Sequence, residues 1–113
     1  MKKGADMDRL WLNHYPAGVP HEIKPEIYAS VVDMLEDSLS KYADQPFTVC
    51  MDVWMKYRDL DKLSLQLGAW LQGLNLAPDA RVAIMLPNIP QFAVSMAGVL
   101  RAGYTCVNVN PLY

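Results

Sequence analysis

Few side chains in this sequence stand where they could do chemistry together, and the most suggestive are asparagines beside prolines. Leu86-Pro87-Asn88 closes the apolar run that starts at Val82, and Asn110-Pro111-Leu112-Tyr113 follows a second run, Tyr104 to Val109. If both runs are parallel strands, these stretches lie beyond their carboxyl ends, where ligands settle in open α/β sheets. The chemistry there is thin. A phosphate cradle needs glycines that let backbone N–H groups close on the anion, whereas the first of these turns offers two prolines and no glycine. Asn88 is expected to cap the following helix rather than to touch a substrate, and Asn110, ahead of Pro111, is expected to be a turn residue.

Spacing disposes of the other candidates. His14 and His21 have no second ligand at metal spacing and read as surface or hydrogen-bonding histidines. Cys50 and Cys106 lie far apart and outside any C-x-x-C or Cys/His cluster, so they are expected to be free, buried thiols of a cytosolic protein. The acidic residues sit mainly on solvated helix faces and in turns, with no carboxylate pair and no nucleophile beside a base. No catalytic, cofactor-binding or metal-binding residue is therefore assigned. A net charge of −2, with no window dense in Lys and Arg, lacks the electrostatic footprint of a nucleic-acid partner.

The elements that would position these residues follow from periodicity. At 113 residues and 52% apolar the chain has material for one domain's core. Residues 1–25, with Pro16, Pro20 and Pro25, read as an extended arm hugging a surface. Met1-Lys2-Lys3 begins like a signal peptide, but Asp6, Asp8 and Arg9 stand where the apolar segment should be. Val31, Leu35, Leu39 and Tyr42 predict an amphipathic helix from Ile27 to about Asp44, stopped by Pro46. Phe47 to Met51, a turn at Asp52 and a return through Trp54 and Met55 predict a hairpin. Tyr57, Leu60, Leu63, Leu67, Trp70, Leu71 and Leu74 mark a second helix, closed by Gly73, Asn75 and Pro78, with its aromatic stripe expected in the core.

The run from Val82 to Leu86 predicts a strand buried on both faces of a parallel sheet. Asn88, Pro90 and the face Ile89, Phe92, Ala93, Met96, Val99 and Leu100 predict a third helix ended by Gly103. With the strand Tyr104 to Val109 this makes one β-α-β unit, whose crossover should be right-handed. Residues 26–113 thus form an incomplete α/β unit: the chain stops after a strand, as a piece of something larger would. An uncovered sheet edge there should favour self-association. Pro87, Asn88, Pro90, Gln91 and Arg101 interrupt the longest apolar stretch, so no membrane span is expected.

Several short motifs carry a family resemblance. Tyr57-Arg58-Asp59-Leu60 resembles the early Tyr-x-Glu-Leu motif of adenylate-forming enzymes, and Leu100-Arg101-Ala102-Gly103 resembles their Leu-Lys/Arg-Ala-Gly motif. The chain is more closely similar to bacterial long-chain fatty acyl-CoA synthetases. Trp11-Leu12-Asn13, Tyr15-Pro16, Tyr42-Ala43-Asp44-Gln45-Pro46, Arg81-Val82-Ala83, Leu86-Pro87-Asn88 and Val107-Asn108-Val109-Asn110-Pro111-Leu112-Tyr113 carry that likeness. The resemblance implies an N-terminal fragment of an enzyme several times longer. Such an enzyme activates a fatty acid with ATP and Mg2+ to an acyl-adenylate plus pyrophosphate, then transfers the acyl group to the thiol of coenzyme A.

It further implies that the phosphate loop, the ribose-binding aspartate and the lid lysine lie downstream, leaving the fragment structural and inactive. The implied location is the cytoplasm, with peripheral contact to the inner membrane left open. Two rivals stand beside this reading: an autonomous, non-catalytic interaction module, and a fragment of a ligase for medium-chain, aryl or amino acids. Three departures from the family pattern touch local geometry only. Lys56 stands where a Thr or Ser would cap the second helix, Asp79-Ala80 replaces Gly-Asp, and Asp52 replaces the hairpin glycine.

Overall fold

The computed structural model describes residues 9–113. The reading of Met1-Lys2-Lys3, Asp6 and Asp8, and the first part of the arm, fall outside them. Residues 9–27 hold two short 3-10 turns, Leu10–His14 and Pro25–Ile27, with Leu10, Trp11 and Ile23 exposed. Arg9 pairs with Glu22 across this stretch.

Three helices and two small sheets follow. Helix α1 spans Val31–Lys41, strands β1 and β2 span Pro46–Cys50 and Val53–Lys56, and α2 spans Tyr57–Gly73. Strand β3 (Arg81–Ile84), helix α3 (Pro90–Arg101) and strand β4 (Thr105–Asn108) complete the chain. Helix α1 is shorter than the predicted Ile27 to Asp44. The Ser30 hydroxyl accepts from the Asp33 N–H at 3.0 Å and so fixes the start, while Tyr42 leaves helical geometry at the end. β1 and β2 form an antiparallel hairpin with Cys50 opposite Val53. Met51 and Asp52 turn it with φ of 49° and 63°, the pair of left-handed residues that a two-residue type I′ turn requires. Met51 therefore belongs to the turn and not to the predicted strand.

The β-α-β unit forms as predicted, with β3 and β4 parallel and Val82 opposite Cys106. Helix α3 ends in a Schellman motif: Gly103, at φ 83°, donates to the Leu100 carbonyl and Tyr104 donates to the Val99 carbonyl. Its start differs from the prediction. Ile89 is the N-cap and Pro90 the first helical residue, so Asn88 stands one position before the cap and makes no capping bond.

The core lies between the helices and one face of the β3–β4 sheet. Leu71, Ile84, Val99 and Ala102 form one buried cluster, and Leu39, Leu60 and Ala97 another. Two burial expectations need correction. β3 is not buried on both faces: Val82, Ile84 and Leu86 turn toward α2 and α3, whereas Ala83 is exposed and Met85 is 62% exposed, because helices cover only one side among the described residues. Trp70 is not core either, at 61% exposed. The stripe of α2 that is buried runs through Leu60, Ser64, Gly68 and Leu71, so two small residues face α3 where the aromatic was expected.

Candidate functional site

Beyond the carboxyl ends of β3 and β4 lies a cleft of about 530 Å³, lined by residues 86–88 on one side and 108–113 on the other. These are the two stretches that the sequence places there. Each wall is built by local chain chemistry. The first wall turns tightly at Asn88, where the Ile89 N–H donates to the Pro87 carbonyl at 2.9 Å, and Pro90 opens α3. On the other wall the ladder continues one step past β4, with the Val109 N–H donating to the Ile84 carbonyl at 2.9 Å. The Asn110 carboxamide oxygen then accepts from the Leu112 N–H at 2.9 Å, and this Asx turn makes Asn110 the turn residue expected.

No charged side chain lines this cleft; its polar side chains are Asn88, Asn108, Asn110 and Tyr113. Carboxamides and a phenol offer neutral donors and acceptors, suited to hydroxyl, carbonyl or heterocyclic groups rather than to a polyphosphate. Cys106 lies next to it, its thiol donating to the Asn108 carboxamide at 3.4 Å, and burial pushes that thiol above its ordinary value. A larger hollow of about 660 Å³ lies between the hairpin, α2 and the start of α3, against Met51, Val53, Trp54 and Leu63. Size does not make it the better candidate. Its one carboxylate, Asp59, is engaged by the Lys56 N–H at 2.8 Å, and Lys62 is the other charged side chain on its wall.

The remaining residues considered for chemistry stay apart. His14 lies in the first 3-10 turn, and His21 meets Tyr15 edge to face with centroids 5.8 Å apart. Cys50 and Cys106 are both free and half-buried. Among the described residues no three His, Cys, Asp or Glu side chains cluster as metal ligands would.

The polar group that sequence reasoning missed is Arg101. Its side chain is 9% exposed and pairs with Asp61 at 2.8 Å. A charged residue inside the apolar sequence Val99-Leu100-Arg101-Ala102 was the one available signal, since a charge is almost never buried without a partner.

The AMP-binding enzyme family matches residues 35–113, most of the chain. The chain belongs to that family. Over 108 residues, 95% of this chain, it is 52% identical to the long-chain-fatty-acid–CoA ligase of Escherichia coli O6:H1. Over 103 residues it is 38% identical to the Bacillus subtilis enzyme of the same name. It spans 19% of the length of the Escherichia coli relative. Among solved structures, the anthranilate CoA ligase AuaEII bound to anthranoyl-AMP superposes with a TM-score of 0.71 at 24% identity, over 80% of this chain and 18% of that one. The N-terminal subdomain of NpsA from Klebsiella oxytoca gives 0.70 at 24% identity, over 74% and 22%. The mixed α/β architecture is shared with these AMP-binding relatives. No described helix is long and apolar enough to cross a membrane.

Proposed function

We propose that this chain is the N-terminal part of a long-chain-fatty-acid–CoA ligase. The observation that carries the reading is 52% identity over 108 residues, 95% of the chain. The whole enzyme would join a fatty acid to ATP, releasing pyrophosphate, and pass the acyl group from the adenylate to the thiol of coenzyme A. Residues 1–25 are its arm and residues 26–113 the first α/β portion of its large domain. Their contribution is a neutral wall beside the substrates, with no residue in catalysis. Among the described residues no three His, Cys, Asp or Glu side chains converge as a donor set for Mg2+.

The reading carries a cytoplasmic location with it, the inner membrane being where such an enzyme would meet a lipid substrate. The test is fatty-acid-dependent exchange of pyrophosphate into ATP, together with acyl-CoA formation, using the longer protein and this chain side by side. Exchange with palmitate in the longer protein, and none above a buffer blank in this chain, is the expected result, because adenylation needs donors around the α-phosphate that the strand-end cleft does not supply. Preference for an aryl or amino acid would overturn the substrate assignment.

A further inference from the structure

The motifs Tyr57-Arg58-Asp59-Leu60 and Leu100-Arg101-Ala102-Gly103 carry the family likeness, yet neither reaches the strand-end cleft. The second motif reaches α2 just past the first, through the guanidinium of Arg101. Arg101 Nη1 donates to Asp61 Oδ1 at 2.8 Å, to Ser64 Oγ at 2.8 Å and to the Asp61 carbonyl at 3.2 Å, all on α2. Its Nε faces Glu36 Oε1 on α1 at 3.4 Å, outside hydrogen-bond geometry. One side chain of α3 is therefore hydrogen-bonded to α2 and stands beside a carboxylate of α1.

The connectivity gives this clamp a consequence at a distance. Residues 86–88 lead into the start of α3, and the Schellman turn at Gly103 leads out of it into β4 and residues 108–113. Both walls of the cleft hang from the two ends of that helix. Where α3 crosses α2, Gly68, Gly98 and Ala102 pack closely, and such contacts have no direction of their own. The guanidinium of Arg101 does have one, since its planar fork aims Nη1 at three acceptors on α2.

We propose that Arg101 is a positioning residue for the strand-end cleft, locking α3 to α2 and thereby setting the separation of the two walls. This rests on the reading of the cleft as a substrate wall in a fatty acid–CoA ligase. The first test is native-state hydrogen exchange on this chain with Arg101→Met and Arg101→Lys. In Arg101→Met the Val109 amide, bonded across the cleft end to Ile84, should exchange about tenfold faster while the hairpin amides change less than about twofold. Arg101→Lys keeps the charge without the fork and should fall between, which serves if the Met variant fails to fold. Uniform acceleration, or none, would overturn the proposal.

In the full-length ligase, Arg101→Met should raise KM for one substrate about fivefold with kcat within about twofold. A fall in kcat with every KM unchanged would mean lost folded enzyme and would also overturn it. A wild-type ligase without fatty-acid-dependent activity would sink the functional reading alone, leaving the exchange result to decide the role of Arg101.

Discussion

At Gly98 the α2–α3 contact leaves no room for a side chain: a Cβ there would lie 2.9 Å from Leu67 Cδ2 and 3.0 Å from Leu67 Cβ. Because Leu67 Cβ cannot shift without its backbone, Gly98→Ala must push the helices apart. Overpacking outweighs the gain in helix propensity, and a net loss of about 1–2 kcal/mol is expected as a lower urea midpoint at unchanged slope. Gly73, in the last turn of α2, has nothing within 4 Å of the same added atom, so Gly73→Ala should raise the midpoint by about 0.5–1 kcal/mol. Equal stability of the two variants would refute this crossing. A second residue-scale expectation concerns pH. Burial raises the Cys106 thiol above 9.0, so the fold favours its neutral form. That contribution is complete below the unfolded pKa and is lost as pH rises through the folded one. The exposed Tyr28 hydroxyl, held up by its hydrogen bond to Asp37, and Lys41, held up beside Tyr42, act in the same direction. Urea midpoints should therefore fall as the pH is raised past 9.0, and further past 10.0 and 10.5. Alkylation at pH 8 should be slower at native Cys106 than in denatured protein, where both thiols should react without reductant.

Among the elements, α2 shows best how local signals combine. Lys56 carries no acceptor for the first turn, but the Asp59 carboxylate reaches back to its N–H at 2.8 Å, so one half of a capping box survives the loss of the usual Ser or Thr. Asp59→Ala should cost about 1 kcal/mol, and Lys56→Thr, which restores the other half, should add about 0.5–1 kcal/mol; thermal midpoints should move about 4–8 °C per kcal/mol in opposite directions. The elements themselves were legible because apolar spacing reports them directly: the hairpin, α2 and the β3-α3-β4 unit all follow from it. What spacing cannot report is which neighbour arrives. Leu63 and Trp70 fit the helical period as well as Leu60 and Leu71 do, but the buried face is the one where Ser64 and Gly68 let α3 approach. β3 reads as doubly buried because its residues are apolar throughout, whereas one side of its sheet has no cover among the described residues. Asn88 has the chemistry of a cap, yet Pro90 suits the first helical position and moves the cap to Ile89. The strand-end cleft was legible from topology. Arg101 was not, since its partners lie 37 to 40 positions away in sequence on α2.

At the scale of the whole molecule, the Cα radius of gyration is 18.8 Å, against about 13 Å for a compact domain of this length. The accessible surface is 9220 Å², against about 6,200 Å² for a folded monomer of this mass. Met51, Val53, Trp54, Trp70 and Met85 are among the apolar side chains left on it, and β3 and β4 each have an unpaired edge among the described residues. We expect the isolated chain to self-associate through those edges and faces as its concentration rises. Sedimentation equilibrium would contradict this by returning a single 12.7 kDa species at every concentration. The clamp across the three helices also bears on how the molecule comes into being. Glu36, Asp61 and Ser64 leave the ribosome before the arginine that joins them, and 101 − 36 = 65 positions separate the first of these from the last. At about 5–20 residues per second that interval lasts about 3–13 s. Until Ala97 is made, near the end of that interval, Leu39 and then Leu60 lack the residue they close against, and the nascent stretch offers an apolar stripe to any chaperone waiting at the tunnel exit. Folding of this unit is then a single late event, released when its third helix emerges.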